Sequence, residues 1–215
     1  DVNHFPLIRK AASTGLCIQL DTGNATIGEI ETAVDVCLAE GNENLVIHQC
    51  PSGYPARLES VNLRIIPTLK EFFGLPVAYS DHVPGWEMDI AAIGIGANMV
   101  EKTVTLDRTT PKVEHIMSIE PNEMVDFVAS VRRVDLALGV KRRYLTQEER
   151  KKRIKIMRSP YFNRSVAAGE IFDLSMVDFR RPGIGLSPEE TEILIGTKIA
   201  RDISSDQVMS RFDVD

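Results

Sequence analysis

The sequence predicts an α/β fold with parallel strands over residues 1–139, followed by a small, mostly β domain over residues 159–215. Three observations predict it. Short apolar runs alternate with amphipathic stretches of helical length up to Leu138, which is typical of βα units in a parallel sheet. Residues 140–158 are highly charged and form a predicted linker. From Tyr161 onward, short strand patterns with glycine and proline replace the long helices.

The first domain contains four predicted βα units, in which each apolar run is followed by a polar loop and a helical stretch. The predicted strands are residues 17–20, 45–48, 77–79 and 99–101, and the predicted helices are residues 27–40, 61–73, 87–95 and 121–138. Thr26 is placed to cap the first helix. Pro121 and the acidic residues around it favour the start of the last helix.

Four βα units are half of an eight-stranded barrel. A half-barrel leaves two sheet edges and an inner face uncovered. We therefore expect the chain to be the C-terminal portion of a longer protein that supplies about four more units. The alternative is that the four units close by pairing with a second chain.

Composition excludes several classes of protein. The chain has 215 residues, of which 43% are apolar and 26% charged, so it can bury a sizeable core. It has no run of roughly 18 apolar residues that could span a bilayer, and its first residues lack the features of a signal peptide. We therefore expect no membrane role and a cytoplasmic location. Cys17, Cys37 and Cys50 are odd in number and lie in apolar runs, which predicts reduced thiols.

The charge of the chain argues against nucleic acid as a partner, because the net charge is −6. Residues 141–158 differ from the rest, with nine Lys or Arg against two Glu. Apolar residues are mixed into this segment, so we interpret it as an interdomain linker packed on one face. The alternative, a nucleic-acid contact, predicts binding that weakens steeply with salt.

Polar side chains follow two predicted strands at their carboxyl ends, the usual place for chemistry in parallel α/β folds. Ser80, Asp81 and His82 follow one strand, and Glu101 and Lys102 follow the next. A neutral imidazole beside a carboxylate can bind a divalent ion while its other nitrogen is held by an acceptor. The pattern alone also leaves a structural role for His82 open.

These residues resemble a known family. Ser80-Asp81-His82, Glu101-Lys102 and Ser118-Ile119-Glu120-Pro121 resemble segments of the sialic acid synthases, enzymes that condense phosphoenolpyruvate with an amino sugar. The resemblance implies that residues 1–139 are the C-terminal half of a TIM (β/α)8 barrel. It also implies that residues 159–215 are the antifreeze-like domain, a SAF domain of β-clip type, that follows the barrel in this family.

The resemblance implies a site for a divalent metal, Mn²⁺ or Mg²⁺. His82 matches one metal-binding histidine of the family. A second family histidine stands five residues before a Tyr-Pro pair, and this chain has Gln49 in that place before Tyr54-Pro55. Neighbouring residues of a strand face opposite sides, so His48 and Gln49 cannot both point into the barrel. We expect Gln49 to bind the metal with His82, because an amide oxygen suits these hard ions, and His48 to pack against a helix.

On the same resemblance, four residues are expected to bind substrate. Asn3 would touch the reacting ligands and Phe5 would lie against the sugar, although Asn3 could instead cap a turn fixed by Pro6. Ser80 would offer its hydroxyl to a phosphate or carboxylate, or could only cap its loop. Arg181 would reach from the small domain to the N-acyl group of the sugar, since a guanidinium presents several fixed donors. The alternative for Arg181 is a surface arginine.

Glu101 and Asp81 are the expected catalytic residues. The family has Glu at the position of Glu101, so we expect this side chain to face inward, although Glu101 or Lys102 could instead close a salt bridge at the barrel rim. Asp81 could be only a turn residue. Asp21 stands where the family usually has Ser, and this additional carboxylate could alter the choice of substrate.

The resemblance implies condensation of phosphoenolpyruvate with an N-acyl amino sugar similar to N-acetylmannosamine, which gives a nonulosonic, sialic-type acid and phosphate. Residues from the first barrel strands would take part, so this portion is expected to be incomplete. In the family the small domain covers the active site of the partner subunit, which implies a domain-swapped homodimer. The alternative function is a non-catalytic carbohydrate-binding module, which metal titration would distinguish.

Overall fold

The computed structural model describes residues 2–215, which form two compact units. Unit 1 extends to Val140, and unit 2 runs from Lys141 to Asp215. Among the described residues, no helix combines the length and the apolar character needed to cross a membrane.

Within the described residues, unit 1 has a parallel sheet of four strands in the order β1-β2-β3-β4. The strands are β1 Ile18–Asp21, β2 Leu45–Gln49, β3 Val77–Asp81 and β4 Met99–Lys102. All four predicted strands are confirmed, and each ends one or two residues later than predicted. Because the strands are parallel, the polar residues at their carboxyl ends lie along one edge of the sheet.

The described part of unit 1 also has six α-helices. They are α1 Phe5–Ala12, α2 Ile27–Ala39, α3 Leu58–Val61, α4 Ile65–Phe73, α5 Glu87–Gly94 and α6 Met124–Leu138. Thr26 caps α2 as predicted. Its hydroxyl oxygen accepts from the Glu29 amide, and its own amide donates to the Glu29 carboxylate. The single helix predicted over residues 61–73 is broken, because Asn62 adopts a left-handed conformation with φ of 44° that ends α3.

The two faces of the sheet differ in what covers them. Alternate strand residues, including Ile47 and Tyr79, are buried in a core with the helices. The residues between them lie on the opposite side, where Glu101 contacts both Ser80 and His48. On this side Asp21, Met99 and Glu101 are exposed, whereas Val46, His48, Ala78 and Ser80 are buried. We call it the open face, and its members are Gln19, Asp21, Val46, His48, Ala78, Ser80, Met99 and Glu101.

Unit 2 combines two helices with a small antiparallel pair of strands. Its elements are α7 Gln147–Ile156, β5 Ser159–Phe162, β6 Val177–Arg180 and α8 Pro188–Glu192. The core is apolar, and it includes Phe162, Phe172, Ile199 and Met209.

The charged segment over residues 141–158 contains α7, which is bonded to the loop after β6. The Gly183 amide donates to the carbonyl of Ile154 at 2.8 Å. A Cβ added at Gly183 would lie 2.7 Å from the Cβ of Met157, so this close approach requires glycine.

Candidate active site

A chain of polar side chains crosses the open face and joins all four strands. Ser80 Oγ donates to Glu101 Oε1 at 2.8 Å. Glu101 Oε2 lies 3.6 Å from His48 Nδ1, and His48 Nε2 lies 2.7 Å from Gln19 Oε1. The Gln19 oxygen can only accept, so His48 Nε2 bears a hydrogen and Nδ1 faces Glu101. The four side chains thus form a polar path of two hydrogen-bonded pairs, Ser80–Glu101 and His48–Gln19, which meet where Glu101 and His48 lie 3.6 Å apart without a hydrogen bond.

Glu101 is the member of this path that a ligand can reach. Its side chain is 58% exposed, whereas the His48 side chain is 4% exposed. Ser80 is also buried. A carboxylate with one oxygen held by Ser80 and the other near an imidazole is oriented to exchange a proton with a bound molecule.

His82 lies at the carboxyl end of β3, beside Cys50 and Tyr54. Its Nδ1 donates to the carbonyl of Pro51 at 2.9 Å, so Nε2 is the bare nitrogen, and it lies 3.8 Å from Cys50 Sγ. The Tyr54 ring stacks on the imidazole with centroids 4.5 Å apart. Hydrogen bonding and stacking together fix the orientation of the ring.

The Cys50 thiol stays protonated near neutral pH. Burial, together with the nearby carboxylates of Asp21 and Glu101, raises its pKa to about 12, because both oppose a negative charge on the sulfur. Because the thiolate is the reactive form of cysteine, Cys50 is a neutral neighbour of His82 rather than a nucleophile.

Asp81, predicted to be catalytic, does not lie on the open face. Its carboxylate is buried on the helix-covered side, 2.6 Å from Lys102 Nζ. The Tyr79 hydroxyl donates to its other oxygen at 2.9 Å. Strand alternation explains this placement, because residues 79 and 81 project together, away from Ser80 and His82.

Asp89, in α5, is a fully buried acid that the sequence interpretation missed. Burial raises its pKa to about 9, and the negative charge of Asp81 outweighs the attraction of Lys102, 3.9 Å away. Asp89 is therefore protonated at neutral pH. The available signal was an acid inside the apolar run of α5.

Gln49, predicted to bind a metal together with His82, does not project onto the open face. Gln49 turns to the helix-covered side, where its amide nitrogen donates to the carbonyl of Val61 at 3.2 Å, beside a cavity of about 410 Å³. His48 takes the open face instead, so its predicted packing against a helix is wrong. The reason is that regular alternation continues through the end of β2.

Residues 2–215 bring no three His, Cys, Asp or Glu side chains together as a cation site. His82 Nε2 fits a metal as a single ligand, because its tautomer is fixed by Pro51. The described side chains alone do not complete a divalent-ion site.

The other predicted substrate residues are Asn3 and Phe5 in unit 1 and Arg181 in unit 2. Asn3 is exposed in the turn before α1, and Phe5 begins α1 and packs against the apolar core of unit 1. Arg181, in unit 2, is exposed, and its Nε donates to the carbonyl of Ile156 at 2.7 Å. It lines a cleft of about 570 Å³ that also contains Arg153.

Comparison with known proteins identifies the two units. Residues 1–143 match the model of the NeuB family, and residues 158–210 match that of the SAF domain. The chain belongs to the NeuB family. The predicted resemblance to sialic acid synthases is confirmed, and so is the fold class of a partial TIM-barrel synthase domain with a SAF domain.

Two curated relatives are similar to nearly the whole of this NeuB chain. The N,N'-diacetyllegionaminic acid synthase of Campylobacter jejuni is 30% identical over 97% of this chain and 63% of its own length. The human N-acetylneuraminate-9-phosphate synthase is 30% identical over 100% of this chain and 60% of its own. The chain therefore spans about three-fifths of these relatives' length.

A solved NeuB relative agrees in fold. The N-acetylneuraminic acid synthetase of Leptospira borgpetersenii, crystallised with citrate, is 33% identical with a TM-score of 0.66, covering 71% of this chain and 53% of that one.

Proposed function

We propose that the full-length protein is a nonulosonic acid synthase that condenses phosphoenolpyruvate with an N-acyl amino sugar. The observation that supports this most directly is the polar path of Ser80, Glu101, His48 and Gln19 across the open face of a NeuB-family chain. The names of the relatives, synthases of legionaminic acid and of N-acetylneuraminate 9-phosphate, support the reaction class.

The proposed reaction forms one carbon–carbon bond, breaks one carbon–oxygen bond and needs protons to be moved at three oxygens. C3 of phosphoenolpyruvate bonds to the aldehyde carbon of the open-chain sugar, and the aldehyde oxygen takes a proton. Water adds to C2 of the resulting oxocarbenium and loses a proton. The bond from C2 to the phosphate oxygen then breaks while the new C2 hydroxyl passes its proton to the leaving phosphate, which leaves a 2-keto acid and inorganic phosphate. A single group that gives and recovers a proton balances the sequence.

Glu101 is our candidate for that group. It is exposed to a ligand, Ser80 donates to one of its oxygens, and the His48 imidazole lies 3.6 Å from the other. A positioned acid–base group of this kind contributes roughly 10²- to 10⁴-fold in rate. Ser80 serves mainly to orient Glu101, because its hydroxyl hydrogen is already donated to the carboxylate.

The charge of the open face suits the sugar better than phosphoenolpyruvate. Its charged members are the carboxylates of Asp21 and Glu101, and Lys102 is turned away to Asp81. Carboxylates attract hydroxyl and amide donors and repel phosphate. The phosphate of phosphoenolpyruvate is therefore proposed to bind cationic groups outside this face.

The proposal includes a divalent ion, Mn²⁺ or Mg²⁺, with one ligand from the described residues. His82 Nε2 would supply one ligand, with water or substrate oxygens as the others, and the bound ion would polarise the aldehyde. Gln49 is not proposed as a ligand, since it faces the helices.

The proposal includes a homodimer in which the SAF domain of one subunit completes the sugar site of the other through Arg181. The guanidinium still has free donors after Nε bonds to Ile156, and an N-acyl carbonyl is a fitting acceptor. A cytoplasmic location is proposed with it, where phosphoenolpyruvate is available.

Phosphate release from phosphoenolpyruvate by the full-length protein tests the function. We expect release only when an N-acyl amino sugar is present, and in equal amount to the keto acid formed. Sugar binding without phosphate release, across a panel of N-acyl amino sugars, would instead identify a carbohydrate-binding module.

A further inference from the structure

A buried network lies behind the strand ends, on the helix-covered side of the sheet. Lys102 Nζ lies 2.6 Å from Asp81 Oδ2 and 2.5 Å from the carbonyl oxygen of Val83. The Tyr79 hydroxyl and the Val83 amide both donate to Asp81 Oδ1, at 2.9 and 3.0 Å. The network thus holds three alternate residues of one segment.

The residues between these three are the ones that serve the candidate site. Ser80 donates to Glu101, and His82 bonds to Pro51. The strand β3 ends at Asp81, so His82 lies beyond the sheet register. The directions of the His82 and Ser80 side chains therefore depend on how firmly Tyr79, Asp81 and Val83 are held.

We propose that Lys102 is a positioning residue for the open face. By joining the Asp81 carboxylate to the Val83 carbonyl, it fixes the strand end from which Ser80 and His82 project. A buried charge pair is seldom a gain in stability over apolar packing, so its presence at this point favours a role in geometry. Asp89 of α5 lies 3.9 Å from the same ammonium, and its two buried oxygens have no hydrogen-bond partner among the described residues.

The test compares two variants of the full-length protein. Lys102→Met combined with Asp81→Asn removes both charges, so no buried charge is left unpaired. Lys70→Met is the matched control, because Lys70 also donates to a backbone carbonyl, that of Gly96 at 2.7 Å, but lies in α4. Melting temperature, kcat and the KM of each substrate are measured for both.

We expect the double variant to fold and to lose at least about tenfold in kcat, with both KM values changed less than about twofold. Lys70→Met should keep kcat within about twofold of wild type. Wild-type kcat in the double variant would overturn the proposal. An equal loss in Lys70→Met would also overturn it, because the loss would then follow from general destabilisation.

The activity readout rests on the proposed function, so a second measurement separates the two. If wild type itself shows no condensation, the proposed function fails and the ¹⁵N chemical shifts of the His82 imidazole decide the positioning claim. The proposal expects the double variant to lose the fixed tautomer that donates to Pro51. Unchanged His82 shifts would contradict it.

Discussion

Glu101 and Lys102 are neighbours in β4 whose side chains leave the sheet on opposite faces. Glu101 is 58% exposed and contacts Ser80 and His48. Lys102 is 2% exposed and is bonded to Asp81. Because of this alternation, Glu101 can contact a ligand, whereas Lys102 contacts the buried Asp81 on the helix-covered side.

Glu101→Gln should lower kcat at least about a hundredfold, because the amide keeps the shape of the carboxyl group but cannot exchange a proton. The KM for the sugar should change only severalfold. Glu43→Gln is the control, since Glu43 is an exposed glutamate just before β2, at the amino-terminal end of the strands. A Glu101→Gln enzyme with more than about a third of wild-type kcat would exclude Glu101 as the group that gives and recovers the proton.

His48→Leu and Gln49→Leu form a pair that tests which neighbour faces the chemistry. Loss of His48 removes the imidazole that lies against Glu101 and bonds to Gln19, so kcat should fall about tenfold. Gln49→Leu removes one bond to Val61 on the helix side and should leave kcat within about threefold. The reverse order, measured at saturating substrate and divalent ion, would restore the predicted role of Gln49.

Asp89→Asn should stabilise the protein increasingly as pH rises. The folded state keeps this proton until about pH 9, whereas an unperturbed Asp loses it near pH 3.8. Folding therefore takes up a proton between these values, and wild-type stability falls with rising pH in that window. The amide does not titrate, so the stability of the Asn variant relative to wild type should grow by up to about 1.4 kcal/mol per pH unit. Urea unfolding at pH 5, 6.5 and 8 measures it, and a constant difference would mean that Asp89 is ionised in the fold.

Arg181→Ala should raise the KM for the sugar and leave the KM for phosphoenolpyruvate nearly unchanged, because the residue is proposed to touch one substrate only. Mixing Arg181→Ala subunits with His82→Ala subunits tests the exchange of domains. Some wild-type sites should form in the mixed dimers if the SAF domain serves the partner subunit. A mixture no more active than its parents would exclude that arrangement.

The fold was predictable because its signals are local. Four apolar runs specified the strands, and Thr26 specified the start of α2. The break at Asn62 was not predictable from periodicity, because the pattern continues across it while the backbone turns left-handed.

The candidate site was predictable only in part, because sequence position gives the strand end but not the face. A polar residue within an apolar run, such as Gln19 or His48, was an available sign of a second, polar face. The spacing to Tyr54 predicted that Gln49 faces the site. In the structure Gln49 faces the helices, and its neighbour His48 lies on the open face. For Asp81, only the three-dimensional contact with Lys102 distinguishes a buried ion pair from a catalytic acid.

The most direct test of the account follows the oxygen that bridges carbon and phosphorus in phosphoenolpyruvate. The full-length protein is incubated with an N-acyl amino sugar, a divalent ion and phosphoenolpyruvate labelled with ¹⁸O at that position. The account predicts that mass spectrometry will find the label in inorganic phosphate, together with an equal amount of a 2-keto acid that contains the carbons of both substrates. Labelled pyruvate with unchanged sugar would show simple hydrolysis at phosphorus and would contradict the account.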